Sequence, residues 1–73
     1  MNNKVLKIET RKNTKTFVLS PDDGGYSVYK LESSLFSTQK RFVGHGCSLE
    51  NAVLVARQQV GDAGIVATRL RDE

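Results

Sequence analysis

The sequence predicts an α+β fold: a small antiparallel sheet of three to four strands with one helix packed on one face, in the order β-β-β-α-β. Three observations predict it. The chain has 73 residues, enough for one domain with a modest core. One stretch, 48–60, has apolar residues at helical spacing between two capping residues. The other apolar residues fall in short runs rich in β-branched and aromatic types, divided by Gly, Pro and Asp.

Lys4–Glu9 reads as a strand with Leu6 and Ile8 on one side, and the polar Arg11-Lys12-Asn13-Thr14-Lys15 follows it as a connection. Thr16–Leu19 is a second short strand. In Ser20-Pro21-Asp22-Asp23-Gly24-Gly25, Pro fixes φ, Asp can bond its own backbone and Gly accepts positive φ, so Tyr26–Leu31 should return antiparallel to 16–19. Glu32–Thr38, with its serines around Leu35-Phe36, reads as a connection, and Gln39–Val43 as a strand stopped by Gly44-His45-Gly46. Ser48 can cap the helix, and Glu50 suits its first turn. Leu49, Ala52, Val53, Ala56 and Val60 make its buried stripe, and Gly61 ends it. Asp62-Ala63-Gly64 turns the chain into a closing strand, Ile65–Leu70.

Charge divides the chain unevenly. Residues 1–15 hold Lys4, Lys7, Arg11, Lys12 and Lys15 against Glu9, a net of +4, while 16–73 hold six bases and seven acids, a net of −1. The basic segment also contains Val5, Leu6 and Ile8. It therefore reads either as a lysine-protected edge strand or as an arm that orders on a partner. The expected division is 1–15 as basic and apolar N-terminal arm or edge strand, and 16–73 as a single α+β domain. A folded body of net −1 argues against direct nucleic-acid binding. No apolar run approaches the roughly 20 residues of a membrane helix, and Met1-Asn2-Asn3-Lys4 lacks a signal-peptide core. A soluble, cytosolic monomer is expected.

Chemistry-bearing residues are few. Cys47 is the single cysteine and His45 the single histidine, too few for a zinc site. They stand two apart, yet nothing nearby supplies an oxyanion donor or an orienting group, so no catalysis is expected there. Asp22-Asp23 reads as a turn former, and the Gly24-Gly25 and Gly44-x-Gly46 pairs lack the pattern of a phosphate loop. Tyr26, Tyr29, Phe36 and Phe42 with Lys30, Lys40 and Arg41 are the residue types of a stacking platform, though most are expected in the core. Neither cofactor nor enzymatic activity is expected.

Three resemblances bear on function. Gly25-Tyr26-x-x-Tyr29-Lys30 followed by Lys40-Arg41-Phe42-x-x-Gly44 and a helix resembles the three-stranded arm-binding DNA modules of phage integrases, although this chain continues into a further strand. Asp22-Asp23-Gly24-Gly25-Tyr26 with Gly46-Cys47-Ser48-Leu49-Glu50-Asn51-Ala52 is similar to HicB-type antitoxins, without their added DNA-binding segment. The whole chain, from its Met-Asn-Asn start to Arg69-x-Arg71, resembles the small type of transcription regulator that a lytic phage of a plant-pathogenic bacterium makes against host RNA polymerase. Ser48-Leu49-Glu50-x-Ala52 through Ala63-Gly64-Ile65-Val66-x-Thr68-Arg69 also resembles a podoviral polymerase inhibitor.

The third resemblance implies a non-catalytic protein in the cytoplasm of an infected bacterial host. It implies binding to host RNA polymerase, at the amino-terminal part of the β′ subunit, with inhibition of initiation and promotion of antitermination. On that basis the expected partner-binding residues are Lys4, Val5, Leu6, Lys7, Ile8 and Arg11. Leu54 and Arg57, on the polar side of the helix, are secondary candidates.

Overall fold

The computed structural model describes residues 2–61 and 64–73. Its elements are β1 (Lys4–Thr10), β2 (Thr14–Asp22), β3 (Gly25–Ser33), β4 (Thr38–Gly46), α1 (Leu49–Val60) and β5 (Ile65–Asp72). The strands form one antiparallel sheet in the order β4-β3-β2-β1-β5, with α1 on one face. The expected order β-β-β-α-β is corrected to β-β-β-β-α-β, and three to four strands become five. The first strand, expected as an edge strand or a flexible arm, lies in the interior of the sheet, between β2 and β5. Residues 4–10 are thus neither a free arm nor an edge strand.

Local chemistry explains most element ends. At the β1–β2 turn, Thr10 Oγ1 donates to the Asn13 carbonyl at 3.0 Å and the Thr10 N–H reaches the same oxygen at 2.8 Å. The β2–β3 hairpin expected from Pro-Asp-Asp-Gly-Gly forms: Asp22 pairs with Gly25, and the Gly24 N–H donates to Asp22 Oδ1 at 3.0 Å. Pro21 fits inside β2 because β1 pairs only as far as Leu19, beyond which no N–H is owed to that neighbour. The Ser48 hydroxyl accepts the Asn51 N–H at 3.2 Å to cap α1, and Gly61 closes the helix at φ 87° with its N–H on the Arg57 carbonyl. The turn expected at Asp62-Ala63 lies outside the described residues.

Leu6, Ile8, Phe17, Leu19 and Val28 point to the helix side and bury completely with Ala52 and Ala56. Gly44 and Gly46 belong to β4 rather than stopping a strand. A Cβ on Gly46 would lie 2.2 Å from the Ala52 nitrogen, and one on Gly44 2.7 Å from Val55 Cγ1. At Gly46 the helix is therefore seated backbone against backbone on β4, a contact that only glycine allows, whereas Gly44 makes room for the Val55 side chain.

Candidate functional site

Side chains alternate across each strand, so register decides which residues share a face. On the face away from α1, one row crosses all five strands: Arg71 beside Val5, Val5 beside Val18, Val18 beside Tyr29, Tyr29 beside Phe42. Val5 and Val18 are buried in this row, outside the core cluster under the helix. Tyr29 and Phe42 meet edge to face with centroids 5.7 Å apart, and Phe42 remains 59% exposed. Lys7 sits beside Arg69 and Lys40 beside Leu31, so Lys40 flanks the row at its β4 end and Lys7 and Arg69 flank it towards the Arg71 end. Glu9 reaches Arg69 at 3.5 Å.

The expected partner-binding residues separate. Leu6 and Ile8 are fully buried under the helix and cannot dock on anything in this fold. Val5 is buried on the opposite face. Lys4 faces the helix side and pairs with Asp72, which holds its ammonium above the usual lysine range, chiefly through the hydrogen bond. Lys7 is exposed on the open face, and Arg11 is exposed at the β1–β2 turn, where it lines a groove with Lys12 and Lys15 near the helix end. As a docking arm the segment is corrected: its apolar side chains complete the core and leave none to insert into a partner.

The secondary candidates fare differently. Leu54 is 54% exposed and joins Leu49, Val53 and Leu70 in an open groove flanked by Glu50 and Arg57. Leu70, 42% exposed, was not singled out from the sequence, because its neighbourhood depends on where β5 lies relative to the helix. A second missed feature is the β3–β4 tip, read as a mere connection. Ser34 and Ser37 close it by a 2.8 Å backbone bond, with the Ser34 hydroxyl accepting the Ser37 N–H at 3.2 Å. That closure leaves Leu35 and Phe36 at 95% and 94% exposure.

His45, Asp22 and Ser27 form a compact network at one end of the open face. Ser27 Oγ donates to Asp22 Oδ2 at 2.6 Å, and His45 Nε2 lies 3.1 Å from Asp22 Oδ1. The Ser27 bond first, then the His45 bond, hold the Asp22 carboxyl below its usual range. This is not a nucleophile arrangement, since the serine proton is directed to the carboxylate and not to the imidazole. Cys47 Sγ accepts from Asn51 Nδ2 at 2.6 Å, and among the described residues no hydrogen bond joins it to His45. Among the described residues, too, no helix is long and apolar enough to cross a membrane, and no group of three His, Cys, Asp or Glu could hold a metal ion.

No family model, curated protein or solved structure matches this chain.

Proposed function

We propose that the protein is a non-catalytic regulator that docks on host bacterial RNA polymerase, at the amino-terminal part of β′, inhibiting initiation and promoting antitermination. The resemblance of the whole chain supports the polymerase reading. The observation that carries a docking role is the groove of Leu49, Val53, Leu54 and Leu70, whose central leucines are about half exposed in a domain with few core residues to spare. Apolar side chains left in water in a small protein mark a surface that a partner covers. Glu50 and Arg57 at its rim would set orientation more than affinity.

The test is capture of host lysate on the immobilised full chain, with nuclease treatment. Retention of β and β′ after nuclease is the expected result. Leu54→Glu should weaken that retention at least tenfold while leaving the urea midpoint unchanged, because a charge in a desolvated apolar contact loses the energy of a binding hot spot. Loss of every partner after nuclease would replace this reading with DNA binding of the integrase arm type, and capture of a toxin instead of polymerase with the antitoxin one.

A further inference from the structure

We propose that the open sheet face is a binding surface for single-stranded RNA, separate from the polymerase groove. The row Arg71, Val5, Val18, Tyr29, Phe42 spans four strand spacings, about 19 Å, the reach of a few nucleotides. At one end, Phe42 is exposed and braced at a steep angle by Tyr29, so its ring can stack a base without first being ordered. Lys40 shares β4 with Phe42, and Lys7 and Arg71 stand towards the opposite, β5 end of the row, none with an acidic partner within 4 Å among the described residues. Arg69 is paired with Glu9 in an exposed ion pair, weak enough for a phosphate to replace.

The shape selects a single strand. The helix lies on the other face of the sheet, and a face five strands wide is broader than the two-stranded ribbon that a major groove admits. An exposed ring at one end of the row, with Lys40 beside it and Lys7, Arg69 and Arg71 towards the other end, suits an extended polyanion with unstacked bases better than an apolar protein surface. The hydroxyls of Thr14 and Thr16, beside Glu9 and Lys7, offer hydrogen-bond partners for a ribose 2′-OH, which deoxyribose lacks. The sequence reading placed no basic face on the folded body because it separated Lys7 from Arg69 and Arg71. The pairing of β1 with β5 puts them side by side.

Anisotropy of a fluorescein-labelled twelve-nucleotide oligouridine titrated with the full chain tests this. Four phosphate contacts give a log–log salt slope near −2.8, so affinity should fall about 50-fold between 50 and 200 mM salt. Phe42→Ala should weaken binding about tenfold or more. Lys40→Gln and Arg71→Gln should each reduce the slope by roughly 0.7. Urea midpoints check that all three variants are folded. The proposal is overturned by absent or salt-insensitive binding, or by unchanged affinity in Phe42→Ala. Equal affinity for duplex RNA or for oligothymidine of the same length overturns it as well. The polymerase reading stands or falls separately, on Leu54→Glu.

Discussion

Leu6→Ala and its neighbour Lys7→Ala separate an interior strand from a docking arm. Leu6 is fully buried between the register positions of Phe17 and Leu70 and under the helix. Truncating it removes the transfer energy of its methyl groups and leaves a cavity, about 2–5 kcal/mol for such sites. A domain of this length has about 4–11 kcal/mol in total at typical per-residue stability, so one substitution removes a large fraction. With a urea slope near 1 kcal/mol per M for so small a protein, the midpoint followed by circular dichroism should fall by roughly 3 M. Lys7, exposed on the other face, should shift it by less than what about 0.5 kcal/mol produces. Deleting residues 1–10 should unfold the domain outright, since β2 and β5 would both lose their shared partner. A Leu6→Ala protein with the wild-type midpoint that no longer captures polymerase would refute the reasoning and restore the arm.

Gly46→Ala places a methyl 2.2 Å from the Ala52 nitrogen, so α1 must retreat by about 1.5 Å to reach ordinary contact. A loss of about 3 kcal/mol is expected by urea titration, although alanine is otherwise the better strand residue. Asp22→Asn should lower the melting temperature near pH 6. Because the folded carboxyl titrates below its ordinary value of 3.8, that stabilisation is present above the ordinary value and disappears as pH falls through the folded one. The difference between the two proteins should therefore close in acid. Replacing Leu35 and Phe36 by Ser should leave stability within about 0.5 kcal/mol, as both are solvent-exposed at the tip. Weaker polymerase capture by that variant would add the tip to the docking surface.

What the sequence made legible was local. Ser48, Glu50 and Gly61 bracket an apolar stripe within one stretch of chain, and the helix forms with those caps. Pro21 to Gly25 dictates a turn through its own dihedrals and side-chain bonds, and the hairpin follows. The illegible parts depend on residues far apart. β1 became interior only because β5, from the other end of the chain, pairs with it, as in Leu6 with Leu70. No composition shift signals that pairing. The positive N-terminal segment looked separable for the same reason, whereas its apolar half fills the core and its Lys7 joins Arg69 on the surface. Gly44 and Gly46 looked like punctuation because their reason lies across the sheet, in the approach of Ala52 and Val55.

The strict alternation of a strand turns one basic, apolar segment into two surfaces. Leu6 and Ile8 face the helix, and Val5 and Lys7 face away, so no single partner can engage the segment as a unit without taking the sheet apart. A contact made by this segment in the folded chain must therefore use what one face or the other leaves exposed. On the helix side that is an apolar groove completed by Leu70, and on the other an exposed aromatic ring at one edge of a face that carries lysines and arginines. These differ in chemistry: the first gains from excluding water, the second from displacing counterions. The sheet between them makes each addressable by substitutions that leave the other intact, and it gives a domain of 73 residues room for two unlike contacts at once.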